Sequence, residues 1–169
     1  ISQEQVSGSF RPGDPAVFQF VNLDSVRVKG VEAKARYQAE SGFRARIAIA
    51  FADGTVKSPT RGNQSLSTVD PINAILGVGY RDPTGAFGGE LIVSYNARKE
   101  ANETIGVCNA ACFRPQESAI IDATAFVRIT DSLKLRAGLF NITNKKYALW
   151  SNVRGLEATS TITDAFTQP

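Results

Sequence analysis

Alternation of apolar and polar residues runs through most of this chain, and it restricts the fold more than any other feature. From Val31 the odd positions read Val31, Ala33, Ala35 and Tyr37, with Glu32, Lys34, Arg36 and Gln38 opposite. The next segment sets Phe43, Ala45, Ile47, Ile49 and Phe51 against Arg44, Arg46, Ala48 and Ala50. The pattern returns from Ile72 to Tyr80, from Phe87 to Asn96, from Ile121 to Ile129 and from Leu133 to Leu139. A period of two is the signature of a strand with unlike faces, and no stretch shows the helical period. An earlier strand is expected over Val17 to Leu23. The chain reads as all-β.

The links between strands are sorted by length. Ala39-Glu40-Ser41-Gly42, Arg81-Asp82-Pro83-Thr84-Gly85 and Thr130-Asp131-Ser132 are tight turns, with Pro83 presetting φ and Gly85 tolerating a positive one. Between them come long irregular links, Gly54 to Asp70, Lys99 to Glu117 and Asn144 onward. Short turns at one end and long loops at the other are what an up-and-down membrane barrel requires. Aromatic residues bracket the apolar stripes, Phe43 with Phe51 and Phe87 with Tyr95. Eight residues of strand cover roughly 26 Å. At a tilt of about 40° that gives roughly 20 Å of height, near the apolar band between two aromatic girdles. The stripes carry no Lys or Arg, each of which would cost roughly 2–4 kcal/mol at mid-depth in lipid. The expected fold is therefore an antiparallel up-and-down transmembrane β-barrel segment. The alternative is a soluble β-sandwich binding module whose stripes form a core.

Composition removes other classes. No apolar run approaches the roughly 20 residues of a membrane helix. The net charge of +3 comes from scattered residues, so no nucleic-acid partner is expected. The chain has no His and no G-x-S-x-G motif, which removes the usual general base and nucleophile elbow. No enzymatic activity is expected. The absence of Met and of a signal peptide at Ile1, with a loop-like ending at Pro169, reads as an internal fragment. One irregularity stands out: the apolar phase is even at Val26 and Val28 and odd after Gly30. Either a bulge at Gly30 resets it, or this part of the strand projects above the bilayer; the second is expected.

Two segments resemble the TonB-dependent outer-membrane receptors. Phe140-Asn141-Ile142-Thr143-Asn144-Lys145-Lys146-Tyr147 is similar to their penultimate-strand signature, and Asn22 through Val26-Arg27-Val28-Lys29-Gly30-Val31-Glu32 to a strand with Asn followed by a basic-Gly-aliphatic-Glu run. Asp70-Pro71-Ile72-Asn73 through Pro83, and Leu149-Trp150-Ser151-Asn152-Val153-Arg154-Gly155-Leu156, resemble the branch that takes haem or iron from haemoglobin and related proteins. The resemblance implies that residues 1–169 supply about eight strands from the C-terminal part of a barrel of roughly 22, with plug and closing strand absent. It implies an outer-membrane location in contact with lipid. It also implies coupling to the TonB complex through a missing N-terminal part, and haem as a transported ligand rather than a covalent cofactor. A ferric-siderophore receptor of the same superfamily is the alternative.

Candidate functional residues follow from these readings. Cys108 and Cys112, in an outer loop exposed to an oxidising surface, read as a local disulfide, with a metal-binding pair as the alternative. Trp150 and Arg154 are candidates for contact with a partner protein or a porphyrin propionate, because aromatic residues and Arg are enriched at interaction hot spots; loop packing is the plainer role for each. Tyr147 belongs to the strand signature. Glu32, Lys34, Arg36, Arg44 and Arg46, with Glu90, Asp122, Arg128, Lys134 and Arg136, are expected to face the lumen. No metal site is expected.

Overall fold

The computed structural model describes residues 3–8, 17–22, 25–58, 62–105, 107–108 and 111–167, with the backbone alone for 3–22, 58, 163 and 164. Nine strands are seen among the described residues: β1 (Gln3–Gly8), β2 (Val17–Asn22), β3 (Ser25–Gln38), β4 (Phe43–Ser58), β5 (Gly62–Ser65), β6 (Asn73–Arg81), β7 (Phe87–Asn96), β8 (Ser118–Arg128) and β9 (Lys134–Leu139). A one-turn helix, α1 (Trp150–Val153), follows. β1 and β2 form an antiparallel ladder of their own. The other strands form one antiparallel sheet in the order β3-β4-β6-β7-β8-β9, with β5 added beside the far half of β4.

This meander is a single layer. Ala35, Ile47, Leu76, Val93 and Ile121 lie in one cross-strand row, and Arg36, Arg46, Gly77, Ile92 and Asp122 in the next, on the opposite face. The apolar face lies open: Val31, Phe43, Ile47, Phe51, Leu76, Val78, Leu91, Val127, Leu135 and Leu139 are all exposed. A sandwich would bury these residues under a second sheet, and among the described residues none covers them. The described residues of this sheet thus form a meander and not a sandwich. At the turn end, Tyr37 stacks obliquely on Phe43 with ring centroids 6.4 Å apart, and Tyr80 on Phe87 at 5.8 Å. Phe43 and Tyr80 are themselves cross-strand partners, so the four rings form one belt. Phe51 and Tyr95 mark the opposite border of the band.

The tight turns fall where the sequence puts them. Gly42 and Gly85 adopt φ of 96° and 72°, a region open to residues without Cβ. The link from Gly54 to Asp70 is a correction. β4 continues to Ser58 and returns as β5, pairing Thr55 with Ser65 and Ser58 with Gly62. β3 and β4, at 14 and 16 residues, exceed the roughly 9–11 residues that a membrane strand needs. Their surplus lies beyond Phe51, where the outward face turns charged: Lys29 pairs across the strands with Asp53, and Arg27 with Thr55. The ladder runs without interruption from Ser25↔Lys57 to Gln38↔Arg44, so Gly30 carries no bulge. The phase change at Gly30 instead marks where the strand pair leaves the apolar band.

Candidate functional site

The alternation that builds the outward band also assembles a charged face behind it. Glu32, Lys34, Arg36, Arg44 and Arg46 share this face, as do Glu90, Asp122, Arg128, Lys134 and Arg136. Within it, Arg46 Nε donates to Glu90 Oε1 at 2.5 Å, and an Arg44 Nη donates to Glu90 Oε2 at 3.5 Å. The two arginines stand on β4 and the glutamate on β7, with β6 between. β6 presents Gly77 and Gly79 at the crossing, opposite Arg46 and Arg44 respectively. A Cβ on Gly77 would lie 2.8 Å from Arg46 Nε and closer still to the Glu90 carboxylate. Two absent side chains thus open the path for the ion pair. Lys34 pairs with Glu32 at 3.6 Å in an exposed setting, which contributes little. Asp122 accepts a 2.7 Å bond from the Asn141 backbone N–H, tying the carboxylate to the turn after β9.

Phe126 is the aromatic exception on this face, at a polar position between Thr124 and Arg128. Its ring holds the Lys134 ammonium 4.4 Å from its centroid and the Arg81 guanidinium 6.0 Å away. The sequence carried the signal, since Phe126 is out of phase with the stripe Ile121, Ala123, Ala125, Val127.

At the long-loop end the molecule has a packed core. Trp150 is 3% exposed and Val153 fully buried, with Ala148 beside them and Phe113 and Leu156 packed around. The Trp150 indole N–H donates to Ser67 O at 2.7 Å. Beneath the ring lies Lys99, only 1% exposed. Its ammonium donates to Val69 O at 2.7 Å, pairs with Glu103 at 3.4 Å and stands 5.6 Å from the Trp150 ring centroid. Cys108 and Cys112 are joined in a disulfide. The strand-like stretch beside it is fastened to the loop after α1: Phe113 N–H donates to Leu156 O and Ala158 N–H to Ala111 O, both at 2.8 Å. Three outer loops are therefore one packed unit. Trp150 is a packing residue at its centre, Arg154 stands exposed at its margin, and Tyr147 is half-buried beside it. Lys99, Ser67, Val69 and Glu103 were not foreseen, because nothing in a single sequence distinguishes a lysine that will be buried.

A single-layered antiparallel wall, with an uncharged apolar band on one face, charges on the other and long loops packed at one end, defines a transmembrane β-barrel protein. The family model "TonB dependent receptor-like, beta-barrel" matches residues 1–142, and the chain belongs to that family of outer-membrane receptors. It is similar to the "Probable hemoglobin and hemoglobin-haptoglobin-binding protein 4" of Haemophilus influenzae, 25% identical over 166 residues that cover 90% of this chain and 16% of that protein. It is also similar to "Transferrin-binding protein A" of Neisseria meningitidis serogroup B, 31% identical over 96 residues, 51% of this chain and 11% of that protein. Among solved structures, "Copper transporter OprC" superposes with a TM-score of 0.69 at 22% identity, over 99% of this chain and 24% of that one. At that identity the likeness shows the fold alone. The chain thus spans about a sixth of the first of these relatives.

Proposed function

We propose that this chain is the wall and outer-loop segment of a receptor that takes haem, or iron, from a haem-carrying protein at the cell surface. Transport would be energised through TonB, on which the family depends. The observation that carries the reading is the outer-loop core around Trp150, Lys99 and the Cys108–Cys112 disulfide. A prefolded loop unit suits recognition of a large, rigid protein, since binding then costs little loop-ordering entropy. Relatives that match most of the chain carry haemoglobin-binding names, in Haemophilus ducreyi as well as Haemophilus influenzae, which points the reading to haem. In this reading the charged face lines the lumen and Arg154 lies on the partner side.

The test is growth of a strain lacking the full-length parent on haemoglobin, on a ferric siderophore and on iron-loaded transferrin, each as sole iron source. Selective loss on haemoglobin supports the reading. Loss confined to the siderophore would overturn it. Loss confined to transferrin would favour the second reading, iron taken from a host iron-carrier, which rests on the 31% identity to the transferrin-binding relative.

A further inference from the structure

We propose that the outward face of the β3–β4 pair, just beyond Phe51, binds the phosphate groups of a lipid headgroup in the leaflet around the barrel, through Arg27 and Lys29. The reversal of apolar phase at Gly30 creates this face. Below it Val31 and Phe51 lie on the outward face and Glu32 and Ala50 on the inner one. Above it the chemistry inverts: Val26, Val28, Gly54 and Val56 take the inner face, and Arg27, Lys29 and Lys57 the outward one. The inner residues of β4 are small or apolar because the stretch after β5 closes over them. Leu66 N–H donates to Gly54 O at 2.7 Å, and a Cβ on the buried Gly54 would lie 2.8 Å from both the Leu66 and the Val69 side chains. On the outward face Arg27, Lys29, Asp53, Thr55 and Lys57 are all exposed. This stretch thus folds over the inner face and leaves the outward strip bare. The strip faces away from the lumen, so closing the barrel leaves it on the outside.

Height and charge name the occupant. Lys29 and Arg27 stand two and four residues beyond Val31, the cross-strand partner of Phe51. At roughly 3.4 Å per residue and a tilt of about 40°, that sets them about 5 and 10 Å above the aromatic border. The headgroup layer is about 5–7 Å thick on each side of the hydrocarbon, so Lys29 lies within it and Arg27 at its outer edge. Beyond Phe51 the outward face of the pair carries three cations, Arg27, Lys29 and Lys57, against one carboxylate, Asp53, which stands opposite Lys29. Among the described residues neither Arg27 nor Lys29 is held in an ion pair. Arg98, just past the end of β7, is by contrast already engaged by Gln116 and Glu117. The planar guanidinium of Arg27 can meet a phosphate through two parallel bonds, and the Thr55 hydroxyl directly across from it is a further donor. A lipid satisfies the whole strip in one molecule: its acyl chains meet Val31 and Phe51, and its phosphates reach the cations above them. A soluble anion would meet only the second half. The inference stands on the outer-membrane location and is independent of the cargo.

The experiment uses the purified full-length parent in detergent micelles. The probes are diphosphoryl lipid A and the same lipid stripped of its phosphates, with bound lipid counted by native mass spectrometry. The phosphorylated lipid should bind at least about tenfold more tightly, as expected for charge-assisted contacts. Arg27→Gln combined with Lys29→Gln should bring its affinity down to that of the stripped lipid. Lys34→Gln combined with Arg36→Gln removes the same charge from the opposite face of the same strand and should leave the preference intact. Heat-modifiable migration in detergent gels reports whether each variant has assembled its barrel. Equal binding of the two lipids overturns the proposal, and so does a preference that survives Arg27→Gln with Lys29→Gln in an assembled barrel. Equal losses in the two double variants would assign the effect to net charge and overturn it as well. Two further arms separate the other occupants. Inorganic phosphate at millimolar concentration should not displace the lipid; if it does, the strip takes a free anion. Haemoglobin capture by Arg27→Gln with Lys29→Gln should match the wild type; a variant that loses capture but keeps the lipid preference would assign the strip to a protein partner. Failure of the growth test on haemoglobin leaves the lipid comparison unchanged, so the two readings fall separately.

Discussion

Arg46 reaches Glu90 by passing over Gly77: the guanidinium Nε and the carboxylate are 2.5 Å apart, on strands that are not neighbours. The contact depends on what β6 lacks. Gly77→Ala would set a methyl group 2.8 Å from Arg46 Nε and force the pair apart. Overpacking of this kind costs typically about 1–3 kcal/mol. A lower thermal midpoint of the detergent-solubilised parent is therefore expected for Gly77→Ala, with Glu90→Gln giving a smaller loss because both arginines are partly solvated. If Gly77→Ala melts with the wild type, the ion pair is not constrained by β6.

The apolar band makes a sharper demand. Leu76 sits in the middle of the outward face, in the row of Ile47 and Val93, whereas Ala48 lies on the charged face one row away. Leu76→Arg should cost roughly 2–4 kcal/mol of assembly and reduce the amount of folded parent in outer-membrane fractions. Ala48→Arg, placed beside Lys34 on the other face, should assemble nearly as the wild type does. The comparison is made by surface labelling and heat-modifiable migration. Equal tolerance of the two substitutions would mean that the outward face does not meet lipid.

The wall was legible in the sequence because one period governs it. From Val31 to Leu139, parity alone places Glu32, Lys34, Arg36, Arg44 and Arg46 together, and the structure keeps them on one face. Legibility stops where that constraint stops. Beyond Phe51 neither face of β4 meets a single kind of environment, so Gly54, Thr55 and Val56 read as an irregular link although they are paired strand. The outer-loop core was hidden for a different reason. Trp150 is buried by segments far away in sequence, Ser67 lying 83 residues from it, and no local pattern encodes such a meeting. The disulfide was legible because its two cysteines are neighbours in the chain.

Lys99 joins the three outer loops through one ammonium group, and its removal should loosen them together. Lys99→Met keeps the length of the side chain but leaves Val69 O without its donor and Glu103 without its partner. Loss of hydrogen bonds made by a charged group costs about 1.5–3 kcal/mol. Faster proteolysis of the loops in intact cells is expected, along with a red shift in the emission of Trp150, read as the difference between parent and Trp150→Phe. Cleavage confined to the loop of residues 97–117, with Trp150 emission unchanged, would show that Lys99 does not couple the loops.

The turn between β6 and β7 carries a pH dependence of its own. Asp82 has its carboxyl held below the ordinary value of 3.8, chiefly by the Thr84 hydroxyl, with the backbone N–H groups of Ala86 and Thr84 adding to the effect, the Arg128 charge contributing less, and partial desolvation opposing them. The N–H groups donate to the same Oδ2, at 3.3 and 3.1 Å respectively. A pKa lowered in the folded state means that the stabilisation is complete above the unfolded value and is lost as pH falls through the folded one. Amide exchange at Thr84 and Ala86 should therefore be slow at neutral pH and accelerate in acid, beyond the intrinsic trend, only below about pH 4. Thr84→Ala should move that acceleration to higher pH, because it removes the largest of the lowering contacts. Asp82→Asn should abolish it and leave the turn equally protected across the range. An acid response that persists in Asp82→Asn would assign the titration to another group and leave this carboxylate without a role in the turn.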